Sequence, residues 1–157
     1  MNKYEELQTE AYDNNILIKE VPLKSNSSGL YINNKIALNK DKLTTLSEKI
    51  CVLAEELGHH YTSYGDIIDL NKVENSKQEY KARLRAYNKL IGLKGIIDSF
   101  NAGCKTISEM AEYLEVTEKF LKEALECYKN KYGISATLDN YVIFFEPRFS
   151  IMNANFL

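Results

Sequence analysis

The chain has 157 residues, 45% hydrophobic and 27% charged, with 20 basic side chains against 22 acidic ones. That length supports one domain with a usable core, and a net charge of −2 argues against a protein built to grip phosphate backbones. Hydrophobicity is too high and charge too balanced for a disordered chain, and no apolar run approaches the ~18 residues of a membrane span.

The opening stretch MNKYEELQTEAYDNN is polar and acidic, unlike a signal peptide, so a cytoplasmic location is expected. Tyr4, Leu7 and Ala11 recur at helical spacing and predict a short helix from Met1 to about Asn14. Ile16 to Val21 is short and β-branched, reads as a strand, and ends at Pro22. Ser25 to Gly29 is a loop by composition. Leu30-Tyr31-Ile32 and Lys35-Ile36-Ala37-Leu38 flank Asn33-Asn34, which predicts a β-hairpin, because Asn tolerates the positive φ of a tight two-residue turn. The N-terminal third is therefore expected to hold a small antiparallel sheet. From Thr44 to about Ser63 the apolar period changes to 3.6, with Leu46, Ile50, Leu53, Leu57 and Tyr61 on one stripe. Asp41, Thr44 and Thr45 are candidate N-caps, Gly65-Asp66 the stop, and Asp66 to Asn75 a polar connection. Further helices are expected over Ser76–Leu90, Thr106–Tyr113 and Thr117–Tyr132, with Thr117 as an N-cap and Gly133 as a stop. Tyr141 to Phe145 reads as a strand ended by Glu146-Pro147. The expected class is α+β, with a small N-terminal sheet packed on a helical core and a helical C-terminal half closed by a short strand. Residues 1–100 form the core in this reading, and 101–157 pack on it within one domain.

The only two histidines, His59 and His60, are adjacent in the 44–63 helix, within Glu55-Glu56-Leu57-Gly58-His59-His60. Residues four apart on a helix share a face, so Glu55 and His59 are placed to share a ligand, roughly opposite the apolar stripe. The segment resembles the HExxH signature of zinc metallopeptidases, in which two histidines one turn apart hold Zn²⁺ and the Glu after the first is the general base. In that frame Glu55 takes the first histidine's place, Glu56 is the base and His59 the second ligand. The frame Glu56–His60 puts Leu57 in the base slot and fails on chemistry. A carboxylate ligand is compatible with zinc but adds negative charge and loosens the preference over manganese. The plainer alternative is a solvated stretch of an amphipathic helix. Glu79, at the start of the next helical segment, is a candidate third ligand, with Ala82 and Ala86 small enough for close packing; a first-turn glutamate is also what the helix dipole favours. The three cysteines, Cys51, Cys104 and Cys127, are odd in number and far apart, so reduced thiols are expected rather than disulfides or a zinc knuckle.

Taken in order, the hairpin Gly29–Asn39, the run Leu53-Ala54-Glu55-Glu56-Leu57-Gly58-His59-His60-Tyr61 and Glu79-x-x-Ala82-x-x-x-Ala86 resemble the ImmA/IrrE family of metallo-endopeptidases, particularly its phage and mobile-element versions. The resemblance implies Glu55, His59 and Glu79 as metal ligands, Glu56 as general base, and Zn²⁺, or Mn²⁺, as cofactor. It also implies a cytoplasmic protease that cuts a helix-turn-helix repressor and so releases mobile-element or stress genes. Glu55 stands where most members carry histidine, and the Leu-Leu-Met-Pro segment that often follows is here Leu90-Ile91-Gly92-Leu93. His60, Tyr61 and Tyr64 are all close enough in sequence to stabilise an oxyanion, and nothing selects among them.

Thr106 to Leu121 itself resembles a helix-turn-helix, with Ala111 in the first helix and Val116 after the turn. Its second helix offers Glu118, Lys119, Lys122 and Glu123, a mixed face rather than a basic one, so direct DNA binding is not expected. Alternatives to the endopeptidase are an inactive relative that binds a repressor without cutting it, or a small DNA-binding regulator. If His59 and Glu79 share one ion at ~2 Å each, their donor atoms should stand about 3–4 Å apart.

Overall fold

A computed structural model describes residues 1–62 and 72–156. The expected helix stop at Gly65-Asp66 and most of the connection from Asp66 to Asn75 lie outside these residues. Asn2 caps helix α1 (Lys3–Asp13) by accepting the Glu5 N–H at 2.8 Å, and the helix buries Leu7 and Ala11. Strand β1 (Leu17–Val21) follows, then the hairpin of β2 (Gly29–Ile32) and β3 (Lys35–Asn39). The hairpin forms as its sequence dictates: Asn33 and Asn34 take φ of 48° and 61°, and Ile32 pairs with Lys35 across them.

The sheet differs from a purely antiparallel one. Its order is β1-β3-β2, with β1 parallel to β3 and β2 antiparallel to it. The physical reason is burial. Ile36 and Leu38 of β3 are almost completely covered, so the most apolar strand takes the centre, and the two more exposed strands are left as edges.

Helix α2 (Leu46–Thr62) starts at Thr45, whose hydroxyl oxygen accepts the Glu48 N–H at 3.2 Å. Ile50, Leu53 and Leu57 are buried as expected, whereas Leu46 at the first turn stands exposed. The buried face also takes in Cys51, Ala54 and Gly58, so it is wider than one stripe. Glu20 on β1 joins α1 and α2 to the sheet: Tyr4 donates to it at 3.0 Å and Lys49 sits 3.0 Å away, which holds its carboxyl below the usual range. Helix α3 (Lys72–Leu90) begins a turn earlier than its composition suggested, and Ala82 and Ala86 are fully buried.

The chain divides into two compact units, Met1–Ala86 and Tyr87–Leu157. The second contains a helix that the sequence reading did not find, α4 (Gly92–Asn101). Its two glycines lower helix propensity, but each has a use. Gly92 breaks from α3 at φ +62°, and Gly95 packs so closely on Leu114 that a Cβ would lie 3.3 Å from its side chain. Helices α5 (Ile107–Leu114) and α6 (Glu118–Tyr132) are capped by Thr106 and Thr117, which accept the N–H groups of Glu109 and Phe120 at 3.1 Å each. Between them Glu115 adopts the left-handed helical conformation, and after α6 Gly133 turns the chain in an extended conformation with a positive φ of +88°. Replacing Thr117 with alanine should cost about 1 kcal/mol; a thermal melt that does not move would show that water takes over the cap.

The expected C-terminal strand is β5 (Tyr141–Phe144), the centre of an antiparallel sheet with β4 (Ser135–Leu138) and β6 (Ser150–Asn153). Asp139-Asn140 form the β4–β5 turn, with Asp139 at φ 52°. Buried Tyr128 ties this unit together, donating to Asn88 at 3.0 Å and accepting the Gly92 N–H at 3.1 Å, and burial keeps its hydroxyl protonated. The fold class is therefore α+β, as the patterning implied.

Candidate metal centre

Gly58 sets how closely α2 and α3 approach. A Cβ there would stand 3.0 Å from the Ala82 carbonyl carbon and 3.1 Å from its Cα, so only hydrogen fits. With the backbones in contact, side chains on either flank of the crossing meet. Nε2 of His59 lies 3.6 Å from Oε2 of Glu79, inside the expected interval. His59 is mostly covered and Glu79 more than half exposed. Because α3 begins at Lys72, Glu79 sits about two turns into the helix and the dipole of a first turn does not account for it.

Glu56 projects beside this pair towards β2. A Cβ on Gly29 would come within 3.1 Å of Glu56 Oε1 and 2.8 Å of Val52 Cγ1, so glycine leaves the space the carboxyl occupies. Burial, then the negative charges of Glu55 and Glu79, push the Glu56 carboxyl up to about 7. Glu79 thus faces His59, while Glu55 and Glu79 both act electrostatically on Glu56. A divalent cation would offset the negative charges that, after burial, raise the Glu56 carboxyl, and nitrogen with carboxylate oxygen is a donor set that zinc accepts. The two donors that face each other, His59 and Glu79, stand at a separation that one ion bonded to both at about 2.0–2.2 Å would span. Among the described residues, however, no three His, Cys, Asp or Glu side chains converge as a ready-made cage. Glu55 is near enough to act on Glu56 electrostatically, one helical turn before His59.

The three oxyanion candidates fare differently. His60 turns to the sheet, where Nδ1 lies 2.7 Å from the Tyr31 hydroxyl and the rings meet edge to face. That hydroxyl also contacts Asn34 Oδ1 at 3.1 Å, so Tyr31 has one proton to share between two neighbours. Tyr61 donates to Glu10 at 3.0 Å, accepts from Asn14 Nδ2 at 3.0 Å, and carries the Arg85 guanidinium over its ring at 3.8 Å. Burial and Glu10 raise its pKa, which keeps it a donor. Tyr64 lies outside the described residues. Tyr31, Asn14, Glu10 and Arg85 were not found from sequence, since no local pattern joins residues so far apart. No disulfide joins the three cysteines, and Cys51 is buried.

A family model described as the IrrE N-terminal-like domain, a peptidase family, matches residues 11–126. The chain belongs to that family. The match spans most of the chain and contains β1 to β3, the Glu55–His60 run and Glu79. No curated protein and no solved structure matches it. Membership in the IrrE-like family makes this a metallopeptidase-like hydrolase and implies a divalent metal and a protein substrate. Among the described residues of this IrrE-like chain, no helix is long and apolar enough to cross a membrane.

Proposed function

We propose that this chain is a zinc-dependent endopeptidase of the cytoplasm, of the phage or mobile-element type, that cleaves a helix-turn-helix repressor and relieves repression. The observation that carries the reading is the 3.6 Å approach of His59 and Glu79 across two helices, with the Glu56 carboxyl beside them. In this reading His59, Glu79 and Glu55 hold the metal, Glu55 by swinging its carboxyl towards the face it shares with His59, and the EExxH run replaces HExxH. Manganese is the alternative ion, since two carboxylates make a hard donor set. A divalent ion held there supplies Lewis-acid polarisation of the scissile carbonyl and of the attacking water.

Glu56 does the proton work. Its carboxylate takes the proton of the attacking water and later gives it to the leaving amine. The substrate's path is offered by β2, an edge strand of the sheet. Because Ser28 accepts the Asn39 N–H, the hydrogen-bonding pattern alternates so that Gly29 and Tyr31 turn their backbone N–H and C=O groups away from β3. That edge, which no described strand pairs with, lies alongside the face of α2 bearing Glu56 and suits an extended peptide. A near-neutral chain fits a protein that acts on a DNA-binding partner better than one that binds DNA itself.

The test begins with metal. One zinc per chain is expected, lost in His59→Ala and retained in Cys51→Ala, with competition against a chromophoric chelator as the measurement. Stoichiometric binding that survives His59→Ala would sink the site. Cleavage of a purified helix-turn-helix repressor then separates the alternatives: wild-type induction by Glu56→Gln would identify a protein that binds the repressor without cutting it.

A further inference from the structure

Two side chains that are neither proposed ligands nor the base stand at the junction of α1, α2 and α3. Tyr61 comes two residues after His59, and Arg85 six residues after Glu79. The Arg85 guanidinium lies 3.8 Å from the centre of the Tyr61 ring. The ring is not free to follow the arginine, because its hydroxyl is held from the other side by Glu10 Oε1 of α1 at 3.0 Å and by Asn14 Nδ2 at the end of α1, also at 3.0 Å. Asn14 is itself anchored, its Nδ2 donating to the Glu10 carbonyl at 2.8 Å. The chain of contacts thus runs from α1 through the tyrosine to α3.

The crossing of α2 and α3 at Gly58 and Ala82 fixes how closely the helices approach there, but one close approach does not by itself fix the rotation or slide of one helix on the other. Arg85 on Tyr61 is a second contact on the same two helices, placed to oppose such movement. His59 lies between Gly58 and Tyr61 on α2, whereas Glu79 precedes Ala82 and Arg85 on α3. Glu79 and His59, themselves 3.6 Å apart, thus lie on the two helices that these contacts join.

We propose that Arg85, stacked on a Tyr61 ring clamped by Glu10 and Asn14, is a positioning residue that holds Glu79 at metal-sharing distance from His59. The proposal rests on the metal-site reading above. Arginine is required for its plane: a lysine keeps the charge but offers a point ammonium that cannot lie flat on the ring.

Co²⁺ titration tests it, because the absorption spectrum of bound Co²⁺ reports ligand geometry without any need for turnover. Wild type should bind one Co²⁺, and His59→Ala should not. Arg85→Ala, checked for its fold by circular dichroism, should bind about 10–100-fold more weakly, the usual cost of losing a group that orients a ligand, with an altered spectrum. Arg85→Lys should recover only part of the affinity, and decides the matter if the alanine variant does not fold. Tyr61→Phe, which keeps the ring but frees it from Glu10 and Asn14, should weaken binding less than Arg85→Ala. Arg85→Ala or Arg85→Lys that folds and binds Co²⁺ with wild-type affinity and spectrum overturns the positioning role while leaving the metal site standing. Wild type that fails to bind, or His59→Ala that binds as wild type does, overturns both.

Discussion

Glu56→Gln should reduce peptide hydrolysis by on the order of 10²–10⁴-fold, the usual contribution of a positioned general base, while leaving metal affinity intact. The same substitution should make the metal-free protein more stable at pH 8. In the fold, burial and the charges of Glu55 and Glu79 raise the Glu56 carboxyl from 4.5 to about 7. Folding therefore favours the protonated form. The stability this provides is fully present below the unfolded value near 4.5 and is lost as pH rises through about 7. Glutamine keeps the shape of the neutral acid and has no proton to lose, so its advantage over wild type should be absent at pH 4, grow between those two values and level off near pH 8. The ceiling is on the order of 3 kcal/mol, from a shift of two to three pH units. Melting curves in excess chelator at the two pH values measure it. A glutamine variant that cuts at the wild-type rate removes Glu56 from the chemistry, and one that melts with wild type at pH 8 removes the buried, repelled carboxyl from the account.

Gly58→Ala should lower stability and metal affinity together. In an ordinary exposed helix interior this change gains about 1 kcal/mol, because alanine is the better helix former. Here the added methyl points into the Ala82 peptide, and backbone on both sides of the contact cannot swing aside as a side chain would. The helices must separate, at an overpacking cost of about 1–3 kcal/mol. Separation also pulls Glu79 from His59, so the melting temperature should fall by several degrees and zinc or Co²⁺ binding should weaken in the same variant. An alanine variant more stable than wild type, with full metal affinity, would mean that the helices do not approach as described.

Much of the scaffold was written locally. Asn33-Asn34 dictated a two-residue turn, Thr117 and Gly133 bounded α6, and the 3.6 period of Ile50, Leu53 and Leu57 gave α2 its buried side. Where the reading missed, a long-range contact had overridden a local signal. Helix α4 carries two glycines that argue against it, and packing against Leu114 is what gives Gly95 its place. Strand β1 could be recognised as a strand, but its parallel alignment with β3 depends on which strand the rest of the unit buries.

The candidate site divides along the same line. Spacing alone put Glu55 and His59 on one face of one helix and Glu56 beside them, because helical geometry fixes which residues of a short segment share a side. Sequence by itself therefore determined the chemical inventory: two adjacent histidines, paired glutamates and an α+β frame to carry them. Only the tertiary structure decided which distant groups meet that inventory. It brought Glu79 to within 3.6 Å of His59, turned His60 away to Tyr31, committed Tyr61 to Glu10, Asn14 and Arg85, and left Glu56 half-buried near like charges. The physical reason is that a helix repeats every 3.6 residues whatever surrounds it. The approach of α3 to α2 rests instead on a missing methyl at Gly58 and a guanidinium on a ring, contacts between residues more than twenty positions apart.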